Sequence, residues 1–173
     1  RLVGSEMCIR DSFKDSKYIK VELPKNQGYG GAIIQGIKNS DAEIIMILHG
    51  DMQFEPSQFI ISNIDKLYGF NKETLIAPER LNRPCLAKIN SYFLRLILSI
   101  LLFRKINDFN GQPKIFYKRN IINNIDKMPK NYCFDLALYL AFNCKIVIPV
   151  LEKERIFGKS SWIGLKNKLY VLL

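Results

Sequence analysis

The sequence predicts an α/β fold in which short apolar strands alternate with helices. Two apolar runs, at residues 43–48 and 146–151, have the length and composition of buried strands. Between them, residues 57–68 carry apolar side chains at the three- and four-residue spacing of an amphipathic helix. The chain has 173 residues, of which 48% are hydrophobic, and this is enough for one domain with a substantial core.

The first predicted elements lie on either side of a glycine-rich turn. Residues 17–23 alternate as a strand does, and a proline ends that strand. Gly28, Gly30 and Gly31 then allow a positive φ angle and the close approach of another chain segment or a ligand. A helix follows at residues 32–38, with three isoleucines on one side.

Polar groups follow directly after the strand at residues 43–48, which we expect to be covered on both faces. They begin with His49 and include Asp51 and Gln53. Open α/β sheets bind ligands at the carboxyl ends of their strands. A carboxylate there, beside an imidazole or a second oxygen donor, suits a divalent cation that carries a diphosphate.

The later elements continue the alternation of strands and helices. We expect the helix at residues 57–68 to bury Phe59, Ile60, Ile64 and Leu67. Further predicted elements are a strand at 74–77, a turn followed by an extended segment at 108–118, a short helix at 119–126, a helix at 134–143 and a helix from residue 162. The helix at 134–143 begins near Asp135, which also suits a capping role.

Residues 88–103 have an unusual pattern, because their polar members form one narrow stripe. Lys88, Ser91, Arg95 and Ser99 lie three or four residues apart, and most of the other residues are Leu, Ile or Phe. The run is too short and too charged for a transmembrane helix. It fits a helix lying in a membrane interface, or a helix buried against the sheet or a partner subunit.

Composition restricts the classes of partner and site. A net charge of +10 favours an anionic partner, such as a nucleotide, a nucleic acid or an acidic membrane surface. The four cysteines have no metal-ligand spacing, which is typical of a reduced, cytosolic setting. A single histidine excludes a multi-histidine metal site.

The first twelve residues look foreign to the rest of the chain. Residues 7–12 resemble the translation of a sequencing-library adapter, and such segments are excluded from fold reasoning. We therefore divide the chain into a non-native segment at 1–12, a partial domain at 13–162, and the start of a C-terminal helix at 163–173.

Four blocks of residues then resemble the motifs of one known family, in that family's order. The blocks are Asn26-Gln27-Gly28-Tyr29-Gly30-Gly31-Ala32 with Gly36; His49-Gly50-Asp51-Met52-Gln53 with Pro56; Asp108 with Gly111-Gln112-Pro113-Lys114 and Phe116; and Arg155 with Gly158-Lys159-Ser160. Together they resemble the family 2 glycosyltransferases with a GT-A fold. In particular, they resemble the branch that contains the dolichol-phosphate and other polyprenyl-phosphate mannosyl- and glucosyltransferases.

The resemblance implies a GT-A fold, a Rossmann-like three-layer sandwich, with its first strand or strands outside this sequence. It also implies an inverting hexosyltransferase of cell-envelope glycan biosynthesis. That enzyme moves a sugar from a nucleotide-diphosphate sugar to a polyprenyl phosphate or glycan acceptor, with no role for nucleic acid. The implied location is the cytoplasmic face of a membrane, either peripheral or anchored by segments outside this sequence.

The resemblance also implies roles for individual residues and for Mn²⁺ or Mg²⁺. The implied catalytic residues are Asp51, Asp108 and Arg155; the implied metal ligands are Asp51, Gln53 and His49; and the implied substrate contacts are Asn26, Gly28, Gly30, Arg80, Arg83, Lys114, Lys159 and Ser160. The chain departs from the family at His49, where the metal motif has an aspartate. An imidazole ligand suits Mn²⁺ better than Mg²⁺.

Structural and functional alternatives stay open at this stage. Asp51 and Asp108 also fit turn-forming roles, and the lone histidine fits a packed strand end. A dinucleotide-binding oxidoreductase would use the same glycines and Asp51, although the loop before the glycines is long for that fold. A basic nucleic-acid-binding module agrees with the charge, but the aromatic residues are not interleaved with the basic ones.

Overall fold

A computed structural model describes residues 21–50, 53–151 and 153 of the protein. Its centre is a sheet of four strands: β1 (Ile44–Ile47), β2 (Thr74–Arg80), β3 (Lys114–Tyr117) and β4 (Cys144–Val150). Their order across the sheet is β1-β3-β2-β4. β3 runs antiparallel to β1 and β2, whereas β2 and β4 are parallel. Consequently β1, β2 and β4 end at one edge of the sheet, and β3 begins at that edge.

Helices connect these strands and confirm the α/β class. They are α1 (Gly28–Lys38), α2 (Pro56–Ser62), α3 (Ile64–Leu67), α4 (Cys85–Leu101), α5 (Arg119–Ile122) and α6 (Phe134–Ala141), with a 3₁₀ turn at Ile125–Lys127. Several bounds differ from the predicted ones. β2 extends to Arg80, and α1 begins at Gly28 within the glycine-rich segment.

The two faces of the sheet support separate apolar cores. On one face, side chains of α1, α4 and α6, such as Ile34, Leu98 and Leu138, pack with Leu75 and Phe116 of the sheet. On the other face, residues from α2 and the loop after α3 pack with alternate residues of β2, β3 and β4. The alternation of side chains along each strand therefore builds helix, sheet and helix layers.

Three expectations about individual elements need correction. Of the predicted strand at 17–23, the structure describes only 21–23, and those residues are not in a strand. The predicted helix at 57–68 is two helices, because the backbone leaves the helical region at Asn63, whose side chain donates to Phe59 O at 2.9 Å. Ile60 and Ile64 are exposed as a result. Strand β1 is well covered on one face only.

Most of the polar stripe of helix α4 is turned toward the protein: Ser91, Arg95 and Ser99 are partly buried, whereas Lys88 is exposed. Ser91 accepts a hydrogen bond from Arg83 Nη1 at 2.6 Å, and Ser99 Oγ accepts one from the backbone N–H of Ile106 at 3.0 Å. Leu98 beside them is buried, while the apolar side chains on the opposite side are exposed. In the described part of the chain, no helix has the length and apolarity needed to span a bilayer.

Candidate functional site

Polar side chains from four parts of the fold meet at the edge where β1 ends and β3 begins. His49 follows β1, and Gln112 and Lys114 lie at the start of β3. Tyr29 is in the first turn of α1, and Asp135 is in the first turn of α6. We call these five residues the buried network, because hydrogen bonds join them beneath the exposed ring of His49.

The centre of the buried network is an ion pair between Lys114 and Asp135, in which the lysine side chain has no contact with solvent. Lys114 Nζ lies 2.6 Å from Asp135 Oδ1, and the two side chains are 0% and 6% exposed. Nζ also donates to Gly111 O at 2.9 Å. Burial lowers the pKa of Lys114, while the charge and hydrogen bond of Asp135 oppose that shift. The pair therefore satisfies both buried charges and fixes the start of α6 to the start of β3.

Tyr29 links this pair to His49. Its hydroxyl donates to Asp135 Oδ2 at 2.9 Å and lies 2.9 Å from His49 Nε2. Burial first, and then the negative charge of Asp135, raise the pKa of the Tyr29 hydroxyl above its usual value. Because the single hydroxyl hydrogen is used on the carboxylate, His49 Nε2 must carry the hydrogen and donate to Tyr29. In the neutral ring the lone pair then belongs to Nδ1.

Gln112 joins the network to β1. With its amide oriented to satisfy both groups, its nitrogen donates to Ile47 O at 2.6 Å and its oxygen accepts from Lys114 Nζ at 3.2 Å. The side chain is buried. Gln112 thus connects the end of β1, from which His49 projects, to the ion pair at the start of β3.

A second ion pair lies at the end of β2. Asp108 accepts from Arg80 Nε at 2.6 Å and from Arg80 Nη2 at 2.7 Å, which is a bidentate arrangement. Burial tends to raise the pKa of Asp108, but the hydrogen bonds and charge of Arg80, with the charge of Arg83, outweigh burial and hold it below the usual value. Asp108 is therefore an anion at neutral pH and a poor proton acceptor.

Beside this pair a cavity of about 480 Å³ opens between the end of β2 and helix α4. Four basic side chains line it, against two acidic ones, so its lining has a net positive charge. The charged lining residues are Arg80, Arg83, Lys88, Arg95, Glu79 and Asp108. Tyr92 and Phe93 of α4 form part of the remaining wall. The cavity can accept an anionic group attached to an apolar one.

The glycines at the start of α1 lie against the chain itself. Gly28 has a φ of +77°, and a Cβ there would lie 2.6 Å from Lys130 O. A Cβ on Gly30 would lie 2.3 Å from Pro129 O. The backbone N–H of Gly28 donates a local hydrogen bond to Asn26 Oδ1 at 2.8 Å. The segment that approaches these glycines closely is thus the loop before α6. The substrate roles of Asn26, Gly28 and Gly30 stay predictions.

The predicted substrate contact Lys114 is placed differently from Arg80 and Arg83. The two arginines line the cavity, whereas the ammonium of Lys114 is fully buried against Asp135. In this structure its donors are directed at Asp135 and the Gly111 carbonyl, so it supports the buried network. Its role as a substrate contact stays a prediction.

The metal ligands predicted from sequence are described only in part. Gln53 lies beside the end of β4, where its Nε2 donates to Lys153 O at 3.1 Å. Within residues 21–50, 53–151 and 153, no three His, Cys, Asp or Glu side chains form a metal-binding group. His49 and Gln53 supply one imidazole and one amide, and the metal-binding role of Asp51 with them stays a prediction. Four predicted site residues fall outside the described residues: Asp51, Arg155, Lys159 and Ser160.

Three members of the buried network had no role in the sequence-based assignment. Tyr29 and Gln112 were part of the quoted motifs without an assigned role, and Asp135 was considered only as a helix-capping residue. In the structure its two carboxylate oxygens accept hydrogen bonds from Tyr29 and Lys114. A charged residue in an otherwise apolar helix start was the available signal, because buried charges need partners.

Comparison with known proteins supports the family resemblance. Residues 6–69 match the family model of glycosyl transferase family 2. The chain is 26% identical over 178 residues to undecaprenyl-phosphate 4-deoxy-4-formamido-L-arabinose transferases of Salmonella paratyphi B and Salmonella newport. Each alignment covers 98% of this chain and 53% of the relative, so the chain spans about half the length of these relatives.

These matches confirm the resemblance to family 2 glycosyltransferases, and that family implies the GT-A fold predicted from the sequence. The family match extends across the glycine-rich stretch, on which the dinucleotide-binding alternative also depends. It therefore favours the glycosyltransferase interpretation over that alternative. Family 2 glycosyltransferases generally use divalent cations. The division of the chain at residues 12 and 162 stays a prediction.

Proposed function

We propose that this chain transfers a sugar with inversion from a nucleotide-diphosphate sugar to a polyprenyl phosphate. It resembles family 2 glycosyltransferases over residues 6–69 and polyprenyl-phosphate sugar transferases over nearly its whole length. The observation that carries the acceptor side is the cationic cavity of about 480 Å³ between β2 and α4. Its net positive lining and aromatic wall suit a phosphate joined to a hydrocarbon chain.

In this proposal, Arg83 is the principal contact of the acceptor phosphate. A phosphate is already anionic, so it needs cations that position it more than it needs a strong general base. Arg80 is held in the cavity wall by its bidentate pairing with Asp108. We accordingly assign Asp108 to positioning Arg80, since a carboxylate with a depressed pKa accepts protons poorly.

The donor side lies at the exposed end of the buried network. Asp51, Gln53 and His49 would hold a divalent cation, which neutralises the growing charge of the leaving diphosphate. Tyr29 and Asp135 would keep the His49 ring oriented at the end of β1. A nitrogen ligand favours Mn²⁺ over Mg²⁺. Asn26, Gly28, Gly30, Lys159, Ser160 and Arg155 stay proposed substrate or catalytic residues.

The proposed location is the cytoplasmic face of a membrane, where a polyprenyl phosphate presents its head group. The names of the relatives support a lipid-phosphate acceptor. The positive charge of the chain supports contact with an anionic surface.

The test is sugar transfer by the protein to a short-chain polyprenyl phosphate, with a panel of nucleotide sugars and with Mn²⁺ or Mg²⁺. Arg83→Gln should raise the KM for the acceptor about 10- to 100-fold, because a charge-assisted hydrogen bond contributes about 1.5–3 kcal/mol. The KM for the donor should change little.

Arg119→Gln is the matched control for this test. Arg119 begins α5 at the opposite edge of the sheet and pairs with the exposed Glu73. The Arg119→Gln variant should leave the KM for the acceptor and the KM for the donor unchanged. Absence of transfer from every nucleotide sugar would reject the proposed reaction. Equal acceptor KM values in the two variants would remove Arg83 from the acceptor site.

A further inference from the structure

A second cavity, of about 360 Å³, opens between the segment after α4, the end of α6 and the start of β4. It shares no lining residue with the cavity beside Arg83. Among the described residues that line it, three are cationic and none is acidic. The charged and amide side chains of the second cavity are Arg104, Lys105, Asn107, Asn143 and Lys145.

The cations of the second cavity have no acidic partner. The ion pairs in the described part of the chain are made by other lysines and arginines. Burial lowers the pKa of Lys145, and the positive charge of Arg104 lowers it further. Cations that lie close together without a counter-charge repel one another, so a bound anion would stabilise this arrangement.

The protein itself orients two of these cations. Lys145 Nζ donates to Phe142 O at 2.5 Å and lies 4.4 Å from the centroid of the Tyr139 ring. Arg104 Nη2 donates to Asn143 Oδ1 at 3.2 Å. An ammonium has three N–H donors and a guanidinium has five, so each group keeps donors beyond its hydrogen bond to the protein. Both cations are therefore held in place with donors that a ligand can use.

The composition of the lining identifies the kind of anion. A phosphate monoester carries a charge of about −1.5 to −2 at pH 7 and has three acceptor oxygens, which suits three cations better than the single charge of a carboxylate does. The cavity beside Arg83 has Tyr92 and Phe93 in its wall, whereas charged and amide side chains form most of the second cavity. The second cavity therefore suits a soluble phosphate rather than a phosphate on a hydrocarbon chain.

We propose that the second cavity binds the phosphate group of a small soluble molecule, with Arg104, Lys105 and Lys145 as its cationic contacts. Its volume lies within the range of small-molecule sites, about 300–1,000 Å³, and so has room for more than a bare ion. The inference goes beyond the proposed function, because neither the sugar donor nor the lipid acceptor is assigned to this cavity.

The test is a titration of the ¹⁵N-labelled protein with sodium phosphate, followed by two-dimensional NMR and compared with sodium chloride at equal ionic strength. The backbone amides of residues 104–107 and 143–145 should shift along a saturable curve with phosphate and not with chloride. AMP, a soluble phosphate monoester, should shift the same amides. Sodium acetate should bind at least about tenfold more weakly than phosphate, because it carries a smaller charge.

The variant Arg104→Gln/Lys105→Gln should weaken phosphate binding at these amides at least about tenfold, because it removes two charge-assisted hydrogen bonds. Lys105→Gln alone keeps the hydrogen bond between Arg104 and Asn143, and it should weaken binding about threefold. The matched control is Lys66→Gln/Lys72→Gln, which removes the same charge from exposed positions that line neither cavity. It should change the affinity less than about twofold.

Four results would overturn the inference. The amides of residues 104–107 and 143–145 could fail to shift with phosphate, or the two double variants could lose affinity equally, which would indicate a non-specific effect of charge. Acetate could bind as tightly as phosphate. Micelles of an anionic lipid could shift these amides while phosphate and AMP do not, and the ligand would then be a lipid head group. Since the test measures binding and not sugar transfer, its failure leaves the proposed function unaffected.

Discussion

Two glycines in helix α1 should respond in opposite ways to the same substitution. A Cβ on Gly30 would lie 2.3 Å from Pro129 O, 2.8 Å from Phe134 Cβ and 2.9 Å from Asn131 O. A Cβ on Gly36 would have no atom within 4 Å. Gly30→Ala and Gly36→Ala therefore compare a crowded site with an open one inside a single helix.

The magnitudes follow from helix propensity and from overpacking. Replacing glycine by alanine inside a helix stabilises it by about 0.8–1.0 kcal/mol, and Gly36→Ala should raise the free energy of unfolding by about that amount. Gly30→Ala gains the same helix-propensity stabilisation, but overpacking costs about 1–3 kcal/mol or more, because the contacted oxygens belong to the backbone. We expect Gly30→Ala to lower the free energy of unfolding by about 1–2 kcal/mol.

Urea denaturation followed by circular dichroism measures both effects on one scale. The difference between the two variants should be about 2–3 kcal/mol. Gly30→Ala being as stable as Gly36→Ala would refute the reasoning. The loop at residues 129–131 would then not be packed against α1, and Gly30 would be open to a ligand as the sequence first suggested.

Two further predictions concern the ion pairs. Lys114→Met should lower the free energy of unfolding by about 3–5 kcal/mol by leaving Asp135 buried without its cation, and the double variant Lys114→Met/Asp135→Leu should cost less than the sum of the single variants. Additive costs in a double-mutant cycle by urea denaturation would contradict a coupled pair. Asp108 has a pKa lowered from 3.8, so its pairing stabilises the fold above that pH and is lost as the pH falls through the lower folded value. The stability difference between the unmodified protein and Asp108→Asn should thus shrink as the pH is lowered from 6 toward 3, and a difference independent of pH would count against the assignment.

Sequence periodicity predicted which elements exist more reliably than how they associate. The apolar run at residues 43–48 and the turn before β3 follow from local composition, and both are present. The break at Asn63 was not predictable from apolar spacing, because it depends on a side chain competing for a backbone carbonyl. For α4 the spacing gave the polar stripe, but only the tertiary contacts of Ser91 and Leu98 decide which way the stripe points.

Individual site residues were predictable from the sequence, whereas the contacts between them depend on the tertiary fold and were not predictable. Arg80 and Asp108 were predicted separately, as a substrate contact and a catalytic residue, and the structure joins them in one bidentate pair. Tyr29 and Asp135 are 106 residues apart, and no local pattern indicates that they share a hydrogen bond. Such pairs follow from the strand order, which local sequence does not specify.

The strand order also has a consequence for how the chain folds during synthesis. Each pairing in the described sheet joins strands that are distant in sequence, with Ile44 opposite Tyr117 and Thr74 opposite Cys144. Such long-range pairings make folding slow, because the entropy cost of closing a long loop comes before the stabilising contacts form. At translation rates of about 5–20 residues per second, the roughly 100 residues between the ends of β1 and β4 take on the order of 5–20 s to synthesise. β1 is synthesised at the start of that interval and α4 within it, while the sheet is still incomplete. We therefore expect chaperones to bind the nascent chain early.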